Sequence, residues 1–356
     1  LEVLEVRGRR PTVADAGGNS PVVLVWADPE AYLAPAAAQR LVATLDACPD
    51  AELVLPVSNE SWMEETRRAP AFAYSTPTGL AQAAERAAGC RDLPFPVTSP
   101  RSPVFAARRV SLAALPPDLP LDEAAAAISA AGGRAVADPG AYLHRYAEMD
   151  AQARGDLVAK LPEGARSVLD VGCSRGATAE ALRMRGVARI VGIEPDPGDA
   201  VEAARVYDRV LARPLEAVPP DEFAAEFDGV LFGDVLEHLV DPSDALARVR
   251  PWLSPAGVVV ASVPNVGNWA IVADLLAGRF DYVPYSILSG THVRHFTRRT
   301  IGDLFEATGF RVESIDTVTP PVSPEDAVRL SRLTEWPGAS EDLAAAEFVV
   351  VARPTA

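Results

Sequence analysis

The sequence predicts an α/β protein. Its larger part is an open, mostly parallel sheet with helices on both faces, and a smaller α/β domain precedes it. Three observations carry this reading. An apolar strand over residues 167–171 passes through Asp170 into a turn with glycines at 172 and 176, the layout of a strand-to-helix turn that receives a nucleoside cofactor. A second apolar run, 189–193, ends in Glu194 about twenty residues after that turn, where a carboxylate reaches both hydroxyls of a ribose. Strand and helix patterns then alternate toward the C-terminus, the order that builds a parallel sheet.

Composition bounds the answer. A chain of 356 residues, 49% hydrophobic, has material for about two domains with real cores. Thirty-three basic against forty-nine acidic residues give a net charge of −16, which repels a phosphate backbone and argues against nucleic acid as a partner. Cys48, Cys90 and Cys173 are too few and too scattered for a disulfide framework or a zinc site. No apolar run reaches the ~20 residues a membrane span needs, and residues 1–7 lack a signal peptide's order of basic then apolar segments. A cytoplasmic protein with no membrane span is the expectation.

Residues 1–20 read as a leader, polar and glycine-containing over 7–20. Then come a buried strand at 21–26, an alanine-rich helix over 34–47 and a strand at 52–56. A strand at 103–109, a helix from Asp122 to Gly133 and a strand at 134–144 complete a domain spanning 21–145. This order resembles the second half of a family 2 (GT-A) glycosyltransferase. Such enzymes hold a metal and a nucleotide diphosphate on a DxD motif, but here the strand ends Trp26-Ala27-Asp28, with one acid. The nucleotide-binding first half has no room before residue 21. Asp122 and Glu123 stand where an acceptor-side acidic pair would be, although a solvated helix N-terminus explains them as well. The region reads as a degenerate glycosyltransferase-like module that binds, positions or forms a homodimer, with a piece of a larger bifunctional enzyme as the alternative.

The second domain is expected over 146–356. A helix over 146–161 would cover the cofactor, and Pro162 and Gly164 mark a turn. After the strand at 167–171, Gly172 and Gly176 let the backbone pass close to a ligand, and Asp170 adds negative charge beside them. A carboxylate there repels a dinucleotide's pyrophosphate and suits a cation. One acid for an ammonium and one for a ribose describes S-adenosylmethionine. A third strand is read before the segment 210–216, a fourth from residue 227 and a fifth at 257–265, with 309–318 and 347–352 forming an antiparallel pair at the edge.

From about residue 147 onward the chain resembles the class I S-adenosylmethionine-dependent methyltransferases, in the version found in ubiquinone-biosynthesis and related small-molecule O-methyltransferases. The resemblance implies a Rossmann-like seven-stranded sheet with an antiparallel last strand. It also implies that Asp170, Gly172, Cys173, Ser174 and Gly176 line the methionine part of the cofactor, that Glu194, Pro195 and Asp196 serve the ribose, and that Gly233, Asp234 and Val235 close the site. Many relatives receive the adenine amino group on an acid after the third strand. This chain has Arg213 and Pro214 there, which leaves adenine to backbone groups near Leu215.

Asp234, Glu237 and His238 lie at i, i+3 and i+4, so a helix would set them on one face, where they could bind a divalent metal or approach the acceptor. Capping for Asp234 and cleft-lining for His238 are the simpler reading, and no metal is assigned. His238, His292 and His295 are the catalytic candidates; a histidine near neutral pKa suits a general base for an acceptor hydroxyl, and the spacing of His292 and His295 turns them to opposite sides of an extended chain. Cys173 has no base near it in sequence and is read as a turn residue. The long stretch between Asn265 and His295 carries Trp269, Phe280, Tyr282 and Tyr285 and reads as an acceptor cap or lid. The reaction expected is O-methylation of a small molecule or saccharide precursor by in-line displacement. An NAD-dependent oxidoreductase is disfavoured by Asp170 and the incomplete glycine motif, and a non-catalytic cofactor-binding scaffold is the remaining alternative.

Overall fold

Runs of Val, Leu, Ile and Ala too apolar to face water on either side build two separate seven-stranded sheets, one in each half of the chain. The computed structural model describes residues 2–5, 12–16, 18–27, 31–58, 76–145, 153–283 and 286–355. The chain divides into two units, Leu1–Glu148 and Met149–Ala356.

The first unit contains β1 (Glu2–Glu5), β2 (Val22–Trp26), β3 (Ala31–Leu33), α1 (Pro35–Ala47), β4 (Leu53–Ser58), α2 (Pro77–Ala88), β5 (Phe95–Val97), β6 (Val104–Arg108), α3 (Arg109–Ala113), α4 (Leu121–Ala130) and β7 (Ala135–Arg145). Its sheet runs β1-β2-β6-β4-β7-β3, with β5 also on β7. The leader expected over 1–20 is in part structured: β1 pairs parallel with β2. Thr12 and Asp15 close a reciprocal cap on a short 3-10 turn that buries Val13. Asp138 is buried, yet fully engaged: it accepts from Arg40 Nε at 2.9 Å, Thr44 Oγ1 at 2.5 Å and the Gly140 amide at 2.8 Å, which fastens α1 to β7. Asp122 and Glu123, in the first turn of α4, line a cavity of about 870 Å³ with Ala27, Arg101 and Ser102. Asp28 lies outside the described residues.

The second unit contains α5 (Gly155–Ala159), β8 (Ser167–Val171), α6 (Ala179–Met184), β9 (Arg189–Ile193), α7 (Pro197–Ala203), β10 (Arg209–Leu211), β11 (Phe227–Gly233), α8 (Pro242–Val249), β12 (Leu253–Pro264), α9 (Trp269–Leu276), α10 (Arg298–Ala307), β13 (Phe310–Val318), α11 (Pro324–Thr334) and β14 (Glu347–Pro354). The helix expected over 146–161 is short where it is described, confined to α5; residues 146–152 lie outside the described set. The sheet order is β10-β9-β8-β11-β12-β14-β13, with β14 antiparallel to both neighbours. The order reverses between β8 and β11, which opens a crevice at the carboxyl ends of those strands. Among the described residues, no helix is long and apolar enough to cross a membrane.

Candidate functional site

Register decides which side chains meet in that crevice. Val171 is level with Ile193 on one side and Phe232 on the other, so Gly172, Glu194 and Gly233 leave the sheet side by side. Asp170, one residue earlier on β8, is 6% exposed and accepts a hydrogen bond from the Tyr207 hydroxyl at 2.6 Å. Burial pushes its pKa up to about 6 against the opposing pull of that hydroxyl and of Arg154.

The turn after β8 needs its glycines for a reason other than ligand approach. Gly172 has φ +72°, and a Cβ there would lie 2.5 Å from Val235 Cγ2. Gly176 has φ +85°, and its Cβ would meet Val206 Cγ2 at 2.7 Å. The left-handed backbone and the chain's own side chains exclude larger residues at both positions. Val235 therefore acts by packing over the turn. Cys173 is buried, with its thiol pKa raised by burial and then by Asp170 and Glu194, so it stays protonated and is no nucleophile.

Glu194 is 7% exposed and its two oxygens accept from the amides of Ser174 and Asp196, each at 2.8 Å. Burial raises its pKa, opposed by those amides. Each oxygen keeps a lone pair, so the carboxylate is oriented in advance for a pair of vicinal hydroxyls. Pro195 and Asp196 are exposed; the Asp196 carboxylate caps α7 through the Gly198 and Asp199 amides at 2.7 and 3.0 Å, a structural job the sequence reading did not assign. Leu215 is 3% exposed with its side chain in the core, and its carbonyl accepts from Val218 at 3.0 Å.

Beyond β11 the expected α-helical face is absent. Asp234 takes φ +54°, and beyond Val235 the residues Leu236–His238 form one 3-10 turn. Asp234 caps no helix. Its Oδ1 accepts from Ser262 Oγ at 2.9 Å, its amide donates to the same hydroxyl, and its Oδ2 pairs with Arg154. Arg154 also donates to Ser262 at 2.9 Å, to Glu347 at 2.6 Å and to Asp156 at 2.8 Å. Burial, then Asp234's charge, pushes the Glu347 pKa up to about 7. Tyr207, Arg154, Ser262 and Glu347 were missed from sequence. Only Ser262 carried a signal, a lone hydroxyl inside the apolar run of β12.

The 3-10 turn instead brings Glu237 and His238 to His292. The amides of Val293 and Arg294 donate to the Glu237 carbonyl at 2.9 and 3.0 Å, which docks the loop before α10 onto this turn. The His238 and His292 rings meet edge to face with centroids 4.7 Å apart. Burial lowers the His292 pKa to about 4, a poor match to a general base working at neutral pH. His295 packs edge to face with Phe280 at 6.2 Å and acts on His292 electrostatically, and its own pKa is also lowered by burial. Phe280 stacks edge-on with Tyr282 at 5.6 Å and both are exposed, so this pair forms a surface aromatic patch beside His295 and not core. Trp269 opens α9, half-buried, and Tyr285 lies outside the described residues.

Residues 142–315 match a family model described as a methyltransferase domain. Curated relatives include the ubiquinone biosynthesis O-methyltransferase of Bradyrhizobium diazoefficiens, 33% identical over 135 residues, covering 36% of this chain and 51% of that protein. That of Azorhizobium caulinodans is 34% identical over 131 residues, covering 35% and 50%. The chain thus spans about half the length of these curated relatives. Among solved structures, a SAM dependent methyltransferase from Archaeoglobus fulgidus matches with TM-score 0.39 and 18% identity over 53% of this chain and 86% of that one. The Burkholderia thailandensis 1,6-didemethyltoxoflavin-N1-methyltransferase, with 1,6-didemethyltoxoflavin and S-adenosylhomocysteine bound, matches with TM-score 0.38 and 21% identity over 56% and 77%.

Proposed function

We propose that the protein is a class I S-adenosylmethionine-dependent methyltransferase that methylates an oxygen of a small molecule or saccharide precursor, a reading supported by the match of residues 142–315 to a methyltransferase-domain family model. The observation that carries the cofactor reading is Glu194, fixed by two backbone amides at the carboxyl edge of β9 with a lone pair left on each oxygen. That arrangement suits the ribose hydroxyls. Asp170, behind the same edge, supplies negative charge for the ammonium of the methionine part, and the register of β8 against β9 fixes the spacing of the two acids. S-adenosylmethionine supplies a methyl group on a sulfonium, which the acceptor oxygen takes as the electron pair of the S–C bond returns to sulfur.

The protein's part is to hold the acceptor in line and to receive its proton. His238 and His292, with the nearby edge of Phe280 and Tyr282 beside His295, mark the acceptor side. Oxygen is favoured by the similarity to O-methyltransferases of ubiquinone biosynthesis. The saccharide reading rests on the glycosyltransferase-like order of the first unit and on the acidic pair Asp122 and Glu123 in its cavity. It is an inference by association.

The test is calorimetric titration of the whole chain with S-adenosylhomocysteine, with NAD in parallel. Saturable binding of the first alone is expected, and Glu194→Ala should weaken it by about 1–3 kcal/mol through lost charge-assisted hydrogen bonds. Equal affinity in the variant removes Glu194 from the site. Silence toward both ligands overturns the reading; where S-adenosylhomocysteine binds, methyl transfer to a panel of nucleotide sugars and phenolic acceptors separates enzyme from scaffold.

A further inference from the structure

Where the 3-10 turn after β11 meets the loop before α10, three side chains of ligand type converge. One carboxylate oxygen of Glu237 and one ring nitrogen each of His238 and His292 lie within 4.8 Å of one another. Glu237 is 1% exposed, and neither of its oxygens has a hydrogen-bond partner. A buried carboxylate without donors is costly, and a chain that needed only packing here would do better with a methionine or leucine.

The two histidines are oriented as well as gathered. His238 sets Nδ1 at 3.3 Å from the Thr291 carbonyl, and His292 sets Nδ1 at 3.0 Å from the Ile287 carbonyl. A carbonyl only accepts, so each contact selects the tautomer protonated on Nδ1 and leaves the lone pair on Nε2. Anchoring of one ring nitrogen to a backbone carbonyl is how metal-ligating histidines are held. Two imidazole lone pairs and an unpartnered carboxyl thus converge on one point, an arrangement that a bound cation would complete.

We propose that Glu237, His238 and His292 bind one divalent first-row transition-metal ion. Two imidazoles and one carboxylate suit zinc, manganese, cobalt or iron better than magnesium or calcium, which prefer all-oxygen ligand sets. Bonds of about 2.0–2.2 Å require the three atoms to draw in slightly from their present spread. Three protein ligands leave a coordination position open, and the exposed side of His238 faces solvent. On the methyltransferase reading, that position takes the acceptor oxygen and lowers the pKa of its hydroxyl, the activation that a general base would otherwise provide. The ion site itself is independent of that reading and is tested apart from it.

The whole chain, stripped by a chelator and dialysed, is titrated with Co²⁺ and followed by visible absorption, with S-adenosylhomocysteine calorimetry run on every sample. One equivalent of Co²⁺ with d–d bands, displaced by Zn²⁺, is expected. Glu237→Gln and His292→Ala should each weaken Co²⁺ binding at least about 100-fold, the upper end of what loss of a supporting group costs a metal site. Both should keep the wild-type affinity for S-adenosylhomocysteine, which certifies the fold, and His295→Ala should bind Co²⁺ as the wild type does. Absence of stoichiometric uptake by the wild type, or undiminished uptake by a folded Glu237→Gln or His292→Ala chain, overturns the proposal. S-adenosylhomocysteine binding without Co²⁺ binding sinks the metal site alone. Co²⁺ binding without S-adenosylhomocysteine binding sinks the methyltransferase reading and leaves the metal site standing.

Discussion

Asp170 sits under opposing influences: burial raises its pKa to about 6, while the Tyr207 hydroxyl and Arg154 favour the ionised form. The sign of the resulting pH dependence differs for folding and for binding. Between the ordinary carboxylate value and about 6 the folded chain holds a proton that the unfolded chain has released, so this residue's contribution to stability falls as pH rises through that window. A ligand ammonium needs the ionised form, so affinity for S-adenosylhomocysteine should rise over the same window and level off above it. Calorimetric Kd values between about pH 5 and pH 8 measure this, and Asp170→Asn should bind more weakly with a flat profile. A wild-type Kd that ignores pH would mean Asp170 faces Tyr207 alone. The acid itself was legible, because strand, carboxylate and glycine turn are contiguous. Its partner was not, since Tyr207 is 37 positions away and nothing local links them.

At the scale of elements, the strands of the second unit were readable because β8, β9, β11 and β12 are apolar on both faces and end in turn residues. The segment after β11 was misread for a physical reason. Its acids and histidine have α-helical spacing, but Asp234 is left-handed and a single 3-10 turn follows, which sends Asp234 toward Arg154 and Glu237 toward His292. Arg154 then joins three carboxylates contributed by the start of α5, the end of β11 and the start of β14. Arg154→Met should destabilise the chain by about 1–3 kcal/mol, since charge-assisted hydrogen bonds are lost and Glu347 is left with Asp234 as its charged neighbour. Glu347, already raised to about 7, contributes stability that is present below the ordinary carboxylate range and is lost as pH rises through 7. The variant should therefore lose more stability at pH 8 than at pH 6. Urea midpoints at those two values check it, and an equal loss at both would show that Arg154 serves by packing and not by charge.

On the scale of the whole molecule, each half of the chain closes its own hydrophobic cores. The clusters around Phe227, Trp252 and Phe348 and around Leu157 and Val260 draw only on residues 157–352, whereas those around Phe105 and Leu41 draw only on residues 13–143. Every residue assigned here to cofactor or ion lies in the second unit. A domain with a self-contained core folds alone, and a site built wholly within it keeps its geometry. Residues 149–356 produced without the first unit should therefore unfold in one cooperative transition and bind S-adenosylhomocysteine with the affinity of the whole chain. Calorimetry on the two proteins side by side decides it. Matched affinities with turnover lost on an acceptor that the whole chain methylates would assign the first unit to acceptor recognition. A fragment that folds but no longer binds would mean that the cofactor site draws on residues before Met149, and the site described above would then be incomplete.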